Sequence, residues 1–187
     1  RDILGLWPLD PLEADPAAAD RGTIIHEALD RFVRDIPATL PDDAEARLLE
    51  IGRDVFARVA AHPVVHAFWW PRFERVARWF IDVERQRRKA ISVSETEIRG
   101  RMELNVEGTE FILTAVADRI DRLSDGGYAI LDYKTGQPPS NVDVEDGYAP
   151  QLPLEAAIAI AGGFGDLPPQ QIESLAFWRL SGGEPAG

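Results

Sequence analysis

Tyr128-Ala129-Ile130-Leu131-Asp132-Tyr133-Lys134-Thr135 lies between the turn signal Asp125-Gly126-Gly127 and a second turn at Gly136. A short apolar run bounded by turns is the pattern of a buried strand. Side chains on a strand alternate faces, so Asp132 and Lys134 point one way and Tyr133 the other. Two residues of rise set the first two roughly 6–7 Å apart at the backbone. A cation held by the carboxylate and a water touched by the ammonium can then sit side by side. An isolated Asp-x-Lys is more often a solvated strand end with a surface ion pair. The residues that accompany this one are what give it weight.

The chain is 187 residues long, about one domain. A hydrophobic content of 45% is enough for a core, and no apolar run approaches the length that crosses a bilayer. No membrane partner is therefore expected. The absence of cysteine excludes disulfides, thiolate metal sites and an iron–sulfur cluster within these residues, and fits an intracellular protein. No secretory signal is visible. The chain begins at Arg1 rather than methionine, as a fragment of something longer would. A formal net charge of −12 argues against independent, tight binding to a polyanion. Bound cations offset the carboxylates of a metal site, however, and a longer parent could supply basic surface elsewhere.

Residues 1–20 read as an extended lead-in anchored by Trp7-Pro8-Leu9, and residues 21–187 as a single domain. Asp20-Arg21-Gly22-Thr23 opens a helix that buries Ile24, Ile25, Ala28, Leu29, Phe32 and Val33, with His26 on the margin of that face. A second helix follows Asp42 and Asp43, carries Leu48, Leu49, Val55, Phe56 and Val59 inward, and stops at His62-Pro63. Pro71 sits in the first turn of a third, which buries Phe73, Val76, Ala77, Phe80 and Ile81. The run Arg85-Gln86-Arg87-Arg88-Lys89 reads as a solvated helix end favoured by the macrodipole. Strands then cover 92–106 and 111–120, joined by a turn at Glu107-Gly108, and the strand of Asp132 comes third. A loop over 138–147, a helix over 148–161 with Gln151 near its start, and a strand over 172–180 complete the order α-α-α-β-β-β-α-β.

Asp118 ends an apolar strand, where burying an acid is costly unless it is paired or binds a cation. Phosphodiester cleavage needs a cation to polarise the phosphoryl oxygen and activate water. Mg²⁺ takes oxygen ligands, and one or two carboxylates suffice because it keeps several waters. Asp118 and Asp132, from adjacent strands, are the expected ligands and catalytic acids. Lys134 would orient or deprotonate the attacking water, or offset charge on the phosphorus. Glu95 and Glu97 lie where a further acid of the site could come from, Glu97 being the candidate, but they read more simply as alternating acids of an exposed strand. Arg99 and Arg101, on the face of Glu97, are candidate phosphate contacts. Asp121 reads as a turn or surface residue facing away from Asp118.

Gly22-Thr23-Ile24-Ile25-His26, Ala117-Asp118-Arg119-Ile120-Asp121, Asp132-Tyr133-Lys134-Thr135 and Gln151 together resemble the signature motifs of the RecB-like nucleases of the PD-(D/E)xK superfamily. The resemblance covers nearly the whole chain and is nearest to the C-terminal nuclease domains of AddB-type subunits. It implies an α/β fold with an αβββαβ restriction-endonuclease-like core and a helical insertion at about 38–90. It makes His26 and the backbone carbonyl of Tyr133 metal ligands beside Asp118 and Asp132, with Lys134 catalytic and Gln151 contacting DNA. It further implies Mg²⁺ (Mn²⁺ substituting), exonucleolytic cleavage of DNA, an AddA-like helicase–nuclease partner subunit, a role in double-strand break processing and a location in the bacterial cytoplasm. The sequence departs from the family at Glu155, where the motif that begins with Gln151 has a tyrosine. It also lacks the cysteines with which many relatives hold an iron–sulfur cluster.

Two other readings compete. One is a catalytically inactive module of the same fold kept for DNA binding or scaffolding, favoured by Glu155 and the acidic balance and opposed by the intact His26, Asp118, Asp132 and Lys134. The other is an unrelated α/β hydrolase with His26 as base, for which the chain offers neither a Gly-x-Ser-x-Gly elbow nor a phosphate-binding loop.

Overall fold

The computed structural model describes residues 16–37, 39–58 and 65–183. Its elements are α1 (Pro16–Asp35), α2 (Ala44–Ala57), a π turn (Val65–Trp69), α3 (Trp70–Arg87), β1 (Ile91–Val106), β2 (Thr109–Leu123), β3 (Tyr128–Lys134), α4 (Asn141–Glu145), α5 (Gln151–Ile160) and β4 (Ile172–Arg179). The strands form one sheet in the order β1-β2-β3-β4. β1, β2 and β3 are antiparallel neighbours, while β4 lies parallel to β3 and is reached through α5. The αβββαβ core expected above is present, with α2 and α3 inserted after its first helix.

Helices cover both faces of the sheet, and β3 shows why its residues are nearly all apolar or buried. Ala129, Leu131 and Tyr133 pack with Trp178 against α1, α2 and α3 on one face. Tyr128 and Ile130 pack against α5 on the other. A strand sandwiched this way reads as a continuous apolar run instead of an alternation. Every apolar residue assigned to the inner side of α3 is fully buried. α2 meets α3 closely enough that a Cβ on Gly52 would lie 2.1 Å from the ring of Phe73. The turn between β1 and β2 places Glu107 at φ 52° and Gly108 at φ 84°, as a tight two-residue hairpin requires.

Several expectations need correction. α1 starts at Pro16, so residues 16–20 are helical and not extended. Proline is tolerated in a first turn and Ala17-Ala18-Ala19 favours helix, which outweighs the polar residues around them. The loop over 138–147 contains α4, started by a reciprocal capping box between Ser140 and Asp143. α5 begins at Gln151, because Pro150 forms its N-cap. Trp7-Pro8-Leu9, Val59, His62-Pro63 and the end of the tail lie outside the described residues.

The basic run closing α3 is not simply a solvated end. Arg88 donates to Glu84 at 2.7 Å and to the Ile36 carbonyl, and Arg87 donates to Asp121 at 2.9 Å while lying over the ring of Trp178. Asp121 is likewise no surface residue, since it is fully buried. It accepts from Ser94 Oγ and Arg119 Nε, each at 2.6 Å. Arg119, also fully buried, donates through its other nitrogens to both oxygens of Glu84, at 2.8 and 3.2 Å. These are buried charges made tolerable by pairing and by hydrogen bonds to nearly every polar atom. They join α3 to the strand that carries Asp118.

Candidate active site

β2 and β3 pair only from Arg119 to Arg122, against Leu131 to Tyr128. Beyond Arg119, β2 stays with β1 and parts from β3, so the sheet forks. Asp118 is the first residue inside the fork. Its Oδ2 accepts a hydrogen bond from the Tyr133 amide at 2.7 Å, closing with a side chain the rung that the ladder no longer makes. That bond sets the carboxylate between the two residues that flank Tyr133. Gly22 lets α1 come up to the strand end, since a Cβ there would stand 3.3 Å from Thr135 Oγ1.

Residues reach the fork from both faces of the sheet. From α1, His26 brings Nδ1 to 3.5 Å from Asp118 Oδ2 and sets its ring edge-on to Tyr133 at 5.7 Å. From β1, Glu97 arrives in an unusual conformation, with φ at 49° inside a strand. The ladder pairs Thr96 with Arg119 and Ile98 with Ala117 and makes no rung between Glu97 and Asp118. A left-handed non-glycine residue costs on the order of 1–3 kcal/mol and persists where its surroundings impose it. His26, Glu97 and Asp118 each offer a ligand atom, and all of these lie within 4.8 Å of one another. They line an open cleft of about 590 Å³ with Gly22, Thr23, Glu27 and Asp30.

From the α5 face come Asp132, Lys134, Gln151 and Glu155. Asp132 is buried at 1% exposure. Lys134 Nζ is 2.9 Å from its Oδ1 and 2.7 Å from its Oδ2, but only the first contact has hydrogen-bond geometry. Oδ2 is thus a buried carboxylate oxygen with no directed donor. Gln151 Nε2 donates to Asp132 Oδ1 and, at 3.2 Å, to Glu155 Oε1, while its Oε1 accepts from Lys134 at 3.1 Å.

The acids strain against one another. Burial pushes the Asp132 carboxyl up, and Asp118 adds to this while Lys134 and Gln151 oppose it. Burial, then Asp118 and Asp30, raise Glu97. Burial raises Glu155 to about 7, with Gln151 opposing and Asp132 and Asp118 reinforcing the shift. Burial works against a charged His26, but Asp118, the Tyr133 backbone and Asp132 outweigh it and the imidazole's pKa is raised. Carboxylates that raise each other's pKa around one point form a site suited to a cation. The donor set of carboxylate oxygens and one imidazole fits a hard or borderline divalent ion. Asp132 Oδ2, buried and ion-paired with Lys134, adds a carboxylate oxygen to that set.

A profile of the PD-(D/E)XK nuclease superfamily matches residues 1–185. This chain belongs to that superfamily. Its nucleases use divalent metals, and the cluster at the fork offers donors that could hold one. Proteins named as uncharacterized from Rickettsia typhi and Rickettsia bellii are each 29% identical over 88% of this chain. The match covers 19% and 20% of those relatives, so the chain spans about a fifth of their length. The crystal structure of a protein called SSO0001 is similar over 64% of this chain and 47% of its own, at 21% identity and a TM-score of 0.24.

Of the residues singled out in the sequence, His26, Asp118, Asp132, Lys134, Gln151 and the Tyr133 backbone meet at the fork. Arg99 and Arg101 do not. Both are exposed, Arg101 pairs with Glu103 at 2.8 Å, and the two line a separate cleft with Thr114 and Val116. Glu155 is an addition, and Glu97, weighed in the sequence as a further acid, joins the residues at the fork. Glu155 drew notice only as a departure from a motif. Glu97 sat in an alternating run that carried no sign of its backbone conformation.

Proposed function

We propose that this chain is a metal-dependent DNA nuclease domain, working in a bacterial helicase–nuclease complex that processes double-strand breaks. One observation carries the reading: His26, Glu97 and Asp118 converge on one side of a forked sheet, and a buried Asp132 oxygen beside Lys134 faces them on the other. His26, Asp118, Asp132 and the Tyr133 carbonyl would hold Mg²⁺ (or Mn²⁺), with Glu97 as a further ligand. Bound there, the ion would polarise the phosphoryl oxygen and activate water. Asp132 and Gln151 hold the Lys134 ammonium at the mouth of the site, half-exposed, where it can grip the attacking water or a phosphate oxygen.

The choice of DNA, an AddA-like partner subunit, an AddB-type parent, exonucleolytic action and the bacterial cytoplasm rest on the motif resemblance. The greater length of the relatives is consistent with a domain carried in a larger protein. Among the described residues no helix is long and apolar enough to cross a membrane. The test is Lys134→Ala in the parent complex with the partner's own nuclease disabled. Metal affinity should be retained, because a protonated amine offers no lone pair, while cleavage of single- and double-stranded DNA should be lost. A wild-type rate in that variant would replace the enzyme with an inactive module of the same fold.

A further inference from the structure

Glu155 is buried at 1% exposure on α5, yet the site described so far gives it no task. Its Oε1 accepts from Gln151 at 3.2 Å, and its Oε2 is buried without a partner. Leu152, Ala156 and Ala159 of the same helix pack into the core beside it, so an aliphatic side chain would suit the position better than a carboxyl. A carboxyl kept where an apolar group packs better needs a reason.

Gln151 supplies it. An amide has two N–H hydrogens and one carbonyl oxygen. In Gln151 all are engaged: the hydrogens by Asp132 and Glu155, the oxygen by Lys134. The contacts to Asp132 and Lys134 determine which end of the amide faces which residue. Gln151 is itself exposed, however, and two contacts leave its long side chain free to swing about the line joining them. The third contact comes from a buried carboxyl one helical turn away. We infer that Glu155 is a positioning residue, which tethers the Gln151 amide so that Lys134 stays at the reacting phosphate. This rests on the nuclease reading above and deepens it.

Two substitutions separate the tether from packing and from charge. Glu155→Gln keeps an oxygen that can accept from Gln151, whereas Glu155→Leu fills the space and removes the acceptor. In the intact protein, Glu155→Leu should lower kcat on DNA by about 10- to 100-fold, the scale set by a misplaced catalytic group, with KM and Mg²⁺ affinity little changed. Its Tm should rise, because a buried carboxyl is gone, and a merely structural role would not move rate and stability in opposite directions. Glu155→Gln should restore kcat to near the wild-type value. A wild-type kcat in Glu155→Leu overturns the tether, as does an equal loss of kcat in both variants or a loss of Tm that parallels the loss of rate. If the wild type itself does not cleave, the nuclease reading falls and the side-chain amide signals of Gln151 judge the tether by NMR. Slowly exchanging, dispersed signals in wild type and Glu155→Gln that collapse in Glu155→Leu support it; signals unchanged in Glu155→Leu overturn it.

Discussion

Replacing Glu155 with glutamine in metal-free protein measures how hard the folded state works to bury that acid. Burial is the main cause of the shift, Gln151 pulls against it and Asp132 and Asp118 push with it, and the carboxyl rises from 4.5 to about 7. At ~1.4 kcal/mol per unit the displacement is worth about 3 kcal/mol. Between those two values the unfolded chain has already released the proton and the folded chain still holds it. Unfolding then releases a proton, and a rise in pH favours the unfolded state. The wild type should therefore match Glu155→Gln, in this contribution, below pH 4.5 and fall behind it progressively, by about 3 kcal/mol once the pH exceeds 7. Urea unfolding of both proteins in chelator, at pH values below, within and above that window, reads the difference directly. A gap that stays constant with pH, or a wild type that gains on the variant as pH rises, would refute the assignment of a raised, proton-holding carboxyl to this position.

Calorimetric titration should find a strong Mn²⁺ or Mg²⁺ site that Asp132→Ala abolishes, and its affinity should fall as acid protonates His26. Because the folded pKa of His26 is raised, the fall should begin at a higher pH than an ordinary histidine would set, and His26→Ala should flatten it. Glu84→Ala leaves the buried Arg119 guanidinium without its bidentate partner, so denaturant unfolding should show a loss of about 3–5 kcal/mol. A loss within the ordinary surface range would mean that water or Asp121 alone satisfies the arginine.

What could be read from residues alone was whatever depends on local pattern. The turn, apolar run and turn around β3 located the strand, and its alternation correctly put Asp132 and Lys134 together and Tyr133 in the opposite core. Helical periodicity named the buried apolar residues of α1 and α3 one by one, but not the buried acids Asp30 and Glu84. Partners distant in sequence were not legible. Arg119 and Asp121 look like the polar half of an alternating strand, and the residue that makes their burial possible is Glu84, on a helix of the insertion. The left-handed backbone of Glu97 leaves no trace in composition, because glutamate is an ordinary residue held in a glycine-like conformation by the fork around it. The capping box of α4 was a visible signal, Ser140 followed three residues later by Asp143, overlooked beside the flanking prolines.

The ion-paired bridge from α3 to β2 has a consequence for how the molecule opens. Lifting α3 off the sheet would strip Glu84 from Arg119, leaving the guanidinium to Asp121 and the carboxylate to Arg88. The same guanidinium lies 3.5 Å from the Tyr133 hydroxyl, and the Tyr133 amide holds Asp118. Helix, bridge, tyrosine and Asp118 therefore form one unbroken chain of contacts from the insertion to the fork. The insertion is, by its wiring, tied to the site.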